Sequence, residues 1–320
     1  MRAVRYHEYG GPDVLQVDEV DRPEATGHEV VVEVHGAGVN PVDTYFREGG
    51  YEPFTLPMVT GVDVAGEVVD VGDDVEGYEV GDRVVGTGLN QEFYGSYAEY
   101  VAVPDDRLAH LSNGVDTVAA AGLGVAGVTA YRALIDHAEL KPGETALIHG
   151  GSGGVGHMAV QLAAAAGARV VTTASPTYHD RLDALGADAV LDYARDDLRE
   201  AVVEASDGGP DVILDHRLDD YFQFDADVAA HAARVVGIGE NDPEITLTND
   251  GAARGKDVSF QFMSMFNTPD LARPLGRMAR LLGDGEIELD VARTYDLDDA
   301  AQAQIDVMED RFLGKLVVTP

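Results

Sequence analysis

The stretch HGGSGGVGHMAVQLA, residues 149–163, decides how the chain is read. Before it, TALIH (145–149) is short and apolar, as in a buried strand. After it the chain is Ala-rich with helical spacing. Between them Gly151-Ser152-Gly153-Gly154-Val155-Gly156 fits G-x-G-x-x-G. The pattern is weak alone and informative where it follows a strand and opens a helix. In that setting Gly151 permits a tight turn, Gly153 lets a pyrophosphate reach the backbone, and Gly156 lets the helix close on the strand. The first N–H groups of such a helix lack partners and carry the positive dipole end, which suits a phosphate. The competing reading is a tight turn without a ligand.

Outward from the loop, strands and helices alternate. Strand segments fall at 145–149, 168–174, 189–193, 211–216, 233–239 and 257–263. Helical patterns separate them, and ENDPEITLTNDGAARG (240–255) reads as extended. Such alternation predicts an α/β, doubly wound parallel sheet. The first ~115 residues are instead β-rich, with short strands at 29–40, 63–72, 81–88 and 95–104 between Gly/Asp turns, suggesting a barrel or sandwich. Residues 115–140 are helical in period and broken by small residues. The tail, 286–320, has strand, helix and strand character and is expected to return to the first domain.

The second strand of the alternating region runs into ASPTYHDR (174–181). An acid there would hold the ribose 2′-OH of NAD. Ser175 and Thr177 stand in its place, with His179 and Arg181 beyond, so nothing repels a 2′-phosphate and NADP(H) is the expected cofactor. Ser175-Pro176-Thr177 can equally cap the next helix.

The chain has 320 residues, 45% of them hydrophobic, enough for two domains with sizeable cores. It contains no cysteine, which excludes disulfides, Fe–S clusters, Cys-based zinc sites and a Cys nucleophile. The 58 acidic and 22 basic residues give a net charge of −36; three of the bases are Lys (141, 256 and 315), leaving 19 Arg. A field of that sign repels nucleic acid and anionic membrane. The acids are scattered through a globular pattern, as in a surface adapted to high salt, and the scarcity of Lys resembles proteins of salt-loving archaea. No run approaches the ~20 apolar residues of a membrane span. The opening MRAVRYHEYGGPD lacks the apolar region of a signal peptide. A soluble cytoplasmic protein is expected.

Taken in order, NPVDTYFREGGY (40–51), GVDVAGEVVDVGDDV (61–75), GDRVVG (81–86), GSYAEYVAVP (95–104), GVTAYRALI (127–135), KPGETALIHGGSGGVGHMAVQLA (141–163), LGADAVLDY (185–193) and GKLVVTP (314–320) span nearly the whole chain. They resemble the medium-chain dehydrogenase/reductase superfamily, and within it the zinc-free NADPH:quinone oxidoreductases that include zeta-crystallin. The resemblance implies a GroES-like β-barrel catalytic domain from residues 1–118 and 287–320, and a Rossmann domain from 119–286, with the cofactor in the cleft between them. Zinc-dependent relatives carry a Cys and a Gly-His-Glu segment where this chain has NPVD and GVDVAG. No metal is therefore expected, and the ten His are scattered without ligand spacing.

Without a Lewis acid, alcohol oxidation is hard, whereas hydride transfer from NADPH to a quinone or an enone remains feasible. The resemblance places Asn40 and Tyr45 beside nicotinamide and substrate. Asn40 would bond the ribose or carboxamide; Tyr45 would bond the acceptor oxygen or wall the pocket, or alternatively stand as a buried aromatic at the domain hinge. Thr129 would contact the nicotinamide, or else bond its own helix backbone. Ser152 to Val155 would cradle the pyrophosphate, Ser175, His179 and Tyr193 the 2′-phosphate and adenosine. Gly239 and Phe262-Met263-Ser264 would line the nicotinamide half, and Lys315 would add positive charge near the cofactor. His216 and Arg217 depart from the family pattern beside the cofactor. SFQFMSMF (259–266) reads either as an apolar substrate wall or as the edge of a homodimer formed through the Rossmann domain. Three functions stay open: a quinone reductase, a reductase of α,β-unsaturated carbonyls (enones, alkenals or enoyl thioesters), and a non-enzymic, crystallin-like NADPH-binding protein.

Overall fold

Strand β3 (Glu29–Val39) shows how the first part of the chain is built, in a computed structural model that describes residues 1–320. Its run Val30-Val31-Val32 is fully buried, so both faces of the strand are covered and the apolar residues need not alternate. The other strands before residue 111 are β1 (Arg2–Tyr6), β2 (Leu15–Glu19), β4 (Met58–Val59), β5 (Val64–Val71), β6 (Arg83–Gly86), β7 (Tyr100–Pro104) and β8 (Leu108–His110). β1 pairs antiparallel with β2 and β4, and β3 with β5 and β7. Between β3 and β4 lies helix α1 (Pro41–Arg47), with Pro at its first turn and the Asp43 carboxylate accepting from Asn40 N at 2.8 Å, one half of a capping box.

The expected helical stretch 115–140 is three pieces: α2 (Thr117–Ala120), α3 (Gly124–Tyr131) and a π-helical turn over Arg132–His137 that continues α3. Beyond it come β9 (Thr145–Ile148), β10 (Arg169–Ala174), β11 (Ala189–Asp192), β12 (Val212–Asp215), β13 (Arg234–Gly237) and β14 (Ser259–Phe262). Each of the six predicted strands is present within two residues. They form one all-parallel sheet of order β11-β10-β9-β12-β13-β14, the doubly wound order of dinucleotide-binding sheets, with its switch point between β9 and β12. The connections carry α4 (Gly154–Ala165), α5 (His179–Ala184), α6 (Leu198–Ala205), α7 (Leu218–Val228) and α8 (Gly251–Gly255). The last corrects the extended reading of 240–255, whose end is helical.

After helix α9 (Ala272–Gly283), β15 (Val291–Asp296), α10 (Ala300–Glu309) and β16 (Lys315–Thr319) return to the first sheet. β16 lies between β15 and β3, giving the order β15-β16-β3-β5-β6-β8. The strand, helix and strand expected in the tail are all there.

The chain divides into two compact units, Met1–Val128 with Pro269–Pro320, and Thr129–Thr268. The barrel unit thus takes ten residues more at its first boundary than the expected 118, and begins again 18 residues before the expected 287. The reason is packing: α2 lies on β3 and β5, and α9 on β8 and β6, so both helices belong with the barrel strands.

Candidate functional site

In the second unit the candidate cofactor residues follow the carboxyl ends of the parallel strands. Read across the sheet order, Tyr193 follows β11, Ser175 and His179 follow β10, the glycine loop follows β9, Gly239 follows β13, and Met263-Ser264 follow Phe262 at the end of β14. Open parallel sheets bind ligands at this edge. The sequence-predicted residues of this unit are therefore collinear along one edge. Thr129, on α3, is buried at 7% exposure.

The glycines of the loop differ in what surrounds them. A Cβ on Gly151 would stand 2.2 Å from Thr172 Oγ1, and one on Gly156 would stand 2.1 Å from the carbonyl oxygen of Gly150. Those two are required by the protein's own packing. A Cβ on Gly153 would meet nothing nearer than Gly150 O at 3.4 Å, so the space beside it is left open by the chain. Gly153 is also the N-cap of α4. The N–H groups of Gly154, Val155 and Gly156, in the first turn, have no intrahelical acceptor. Open space beside a glycine and free donors on a helix end fit a pyrophosphate.

At the end of β10, Ser175 precedes a short 3-10 turn, Pro176–Tyr178, but its side chain makes no capping bond, so the hydroxyl is not committed to the helix end. His179 sets Nε2 3.2 Å from Ala174 O. One acid was missed by reading along the chain. Asp192 ends β11 in register with Ala174 of β10, and its Oδ1 accepts from Ala194 N at 2.9 Å. It brings a carboxylate one strand away from Ser175.

Beneath the loop lies a cluster that no sequence pattern marks. His149 Nε2 is 2.8 Å from Asp225 Oδ1, both side chains wholly buried, and the ring stacks on Tyr221 at 4.2 Å and 8°. Burial lowers the His149 pKa to about 4, so the ring is neutral and Nε2–H donates. Burial, and then the neighbouring Asp225, push Asp215 up to about 7, and burial pushes Asp225 well above the carboxylate range. A hydrogen bond between the two carboxyls requires one to keep its proton. His216, outside the family pattern, packs its ring against Gly150, where a Cβ would stand 2.4 Å from Cε1; Gly150 has φ +67°, which suits glycine.

In the barrel unit Asn40 and Lys315 meet although 275 residues separate them. Lys315 Nζ donates to Asn40 Oδ1 at 2.5 Å and to Val39 O at 2.8 Å. Asn40 Nδ2 donates to Asp63 Oδ2 at 2.8 Å and Gly38 O at 3.2 Å. Asp63 also accepts from Thr87 Oγ1 at 2.6 Å and from Val125 N at 2.9 Å. Asp43 accepts from Asn40 N, Val62 N and Tyr97 OH. Burial raises Asp63 and Asp43, Asp43 further through Asp63; burial lowers Lys315 against the pull of both carboxylates.

This arrangement corrects two expectations. Lys315, 3% exposed, has its charge committed inside the barrel, to Asn40 Oδ1, Val39 O and the neighbouring carboxyls of Asp63 and Asp43. Both Asn40 amide hydrogens are already donated, which leaves a lone pair of Oδ1 as its remaining bonding capacity. Tyr45, on α1, is 39% exposed, which removes the buried-hinge alternative. No group of three or more His, Asp or Glu side chains converges to hold a metal ion.

Residues 26–113 match the family described as the alcohol dehydrogenase GroES-like domain, and residues 185–318 the family described as zinc-binding dehydrogenase. Mouse (Mus musculus) quinone oxidoreductase is 33% identical over 315 residues, covering 96% of this chain and 94% of that protein. The Escherichia coli quinone oxidoreductase, solved in complex with NADPH, superposes with a TM-score of 0.89 at 30% identity over the full length of both chains. A solved NAD-dependent alcohol dehydrogenase gives a TM-score of 0.93 at 29% identity, also over both full lengths.

Proposed function

The chain belongs to the quinone oxidoreductase family of the medium-chain dehydrogenase/reductase superfamily and is a nicotinamide-dependent oxidoreductase; on that premise we propose that it uses NADPH to reduce a quinone to the hydroquinone. The observation that carries the cofactor choice is the end of β10, where an uncapped Ser175 stands in place of the ribose-binding acid. The relative solved with NADPH supports it, and Asp192 on the neighbouring strand is the group that opposes it.

Bound along the sheet edge, NADPH supplies the hydride. Gly153 and the N–H groups of Gly154 to Gly156 would hold the pyrophosphate, and Ser175, His179 and Tyr193 the adenosine end. Gly239 and Phe262-Met263-Ser264 would orient the nicotinamide. Tyr45 would donate a hydrogen bond to the acceptor oxygen, Asn40 would bond the ribose or carboxamide and Thr129 would contact the nicotinamide, while the quinone takes one hydride and one proton, the proton coming from solvent. No Lewis acid is assigned, because the positions that hold zinc in relatives read NPVD and GVDVAG and the chain has no cysteine. The protein's share is therefore positioning. Its surface suits a salt-rich cytoplasm, and the β14 edge suits a homodimer.

Fluorescence titration with NADPH and NADH in molar salt tests the cofactor, and a turnover screen in the same buffer tests the acceptor. NADPH binding at least about tenfold tighter than NADH, a difference near 1.4 kcal/mol, with quinone turnover is the expected result. Turnover of 1,4-enones without quinones would reassign the substrate, and binding without turnover of either would return the crystallin-like reading. Stoichiometric zinc by metal analysis would overturn the metal-free mechanism.

A further inference from the structure

The helix that begins as α3 changes its winding at Arg132. Ala138 N donates to Ala133 O at 2.9 Å, an i→i+5 bond, and Leu140 N donates to Leu134 O at 2.8 Å. In an α-helix residues five apart point to different sides, since five residues exceed one 3.6-residue turn by more than a third of a turn. The wider π turn brings them nearly above one another. Arg132 and His137 are such a pair: Arg132 Nη2 donates to His137 Nε2 at 3.3 Å. With Nε2 accepting, the ring's proton sits on Nδ1, which donates to Gln261 Oε1 at 3.3 Å. Gln261 Nε2 returns a bond to His137 O at 3.2 Å. Arg132 Nη1 donates to the carbonyl of Ser264.

These bonds converge on one place, the last residue but one of β14 and the segment just beyond it. β14 is an edge strand, with β13 on one side and no strand on the other. From the β13 side, Met263 N reaches Gly237 O at 3.1 Å. The guanidinium holds the backbone carbonyl of Ser264 just beyond the strand, and the imidazole holds the Gln261 side chain within it. Arg132 is buried, so its charge-assisted bond works in a low dielectric.

We propose that Arg132, seated by the π turn and by His137, is a positioning residue that fixes the Phe262–Ser264 backbone as the receptor for the nicotinamide half of the cofactor. The proposal rests on the reading of this sheet edge as the NADPH site. It assigns Arg132 no contact with the cofactor.

The test separates the two halves of the cofactor. NADPH and adenosine 2′,5′-bisphosphate, which lacks the nicotinamide half, are titrated into wild type, Arg132→Met, Arg132→Lys and His137→Leu. Arg132→Met is expected to weaken NADPH by about tenfold, the scale of one charge-assisted hydrogen bond, and to leave the bisphosphate within about twofold. Arg132→Lys, which can still donate to Ser264 O, should recover part of the loss. His137→Leu, with Arg132 intact, should shift NADPH alone by a smaller factor; it also serves if Arg132→Met does not fold. Equal losses of both ligands, or unchanged NADPH affinity in the folded variants, would overturn the clamp. A wild type that binds the bisphosphate but gains nothing from the nicotinamide half would overturn the clamp alone. One that binds neither would overturn the NADPH reading and the clamp with it.

Discussion

Gly153 and Gly156 stand three residues apart on one loop and answer to different neighbours. Gly156→Ala drives a Cβ into a backbone carbonyl that has little freedom to retreat. It should cost about 1–3 kcal/mol of stability, as overpacking does, visible in denaturant unfolding of the ligand-free protein. Gly153→Ala meets only ordinary contact distance and should change that stability by no more than ~0.5 kcal/mol, while weakening NADPH about tenfold or more. Equal ligand affinity for Gly153→Ala and wild type would mean that no phosphate approaches there. The loop pattern was legible because spacing encodes it, but which glycine serves the fold and which the ligand was not. Lys315 makes the same point. Its partner Asn40 is remote in sequence, so only the fold shows that its charge is enclosed. Lys315→Met removes the cation facing two buried carboxyls and should cost about 3–5 kcal/mol, again in denaturant unfolding; a loss below ~1 kcal/mol would place the ammonium in solvent.

Strands β9, β10, β12 and β13 could be read from the sequence because a parallel strand buried on both faces is a nearly continuous apolar run, whereas the edge strands β11 and β14 are only partly buried and β14 reads SFQF. β2, largely exposed as LQVDE, has no such run, and α1 is only seven residues long, though Asn40-Pro41 and Asp43 carry a capping signature. The π turn has no signature in residue type, and the His149, Asp215 and Asp225 cluster joins a strand end, another strand end and a helix that no periodicity relates. At this scale β14 is the exposed element. Its outer edge is unpaired and Phe262 is 60% exposed. Unprotected edges invite pairing with another chain. The protein should sediment in molar salt at about twice its 34.0 kDa chain mass, and Phe262→Glu at the single-chain mass. A monomeric wild type would leave Phe262 to the ligand side of the edge.

Over the whole molecule, two kinds of acid respond to pH and only one responds to salt. The scattered surface acids of a chain with net charge −36 repel one another, and that repulsion is screened within ~3 Å at 1 M salt. Stability at neutral pH should therefore rise steadily with salt. The buried carboxyls are not screened in this way. Asp215 has its folded pKa raised to about 7, and Asp43, Asp63 and Asp225 are raised as well, whereas an unfolded Asp titrates near ~3.9. Between about pH 4 and 7 the folded chain keeps protons that the unfolded chain releases. The stability from this source is complete below that window and is lost as pH rises through it. In molar salt, where the surface contribution has been removed, the midpoint of thermal unfolding should still fall between about pH 6.5 and pH 8, above the range in which the buried His149 and His216, both lowered to about 4, contribute the opposite slope. Asp225→Asn isolates the cause. Its carbonyl can still accept from His149 Nε2, and its amide can donate to Asp215, so the pair no longer needs a proton of its own. The variant should lose part of the pH dependence and be more stable than wild type at pH 8. An Asp225→Asn protein with the wild-type slope in molar salt would show that the proton is not held between these two carboxyls.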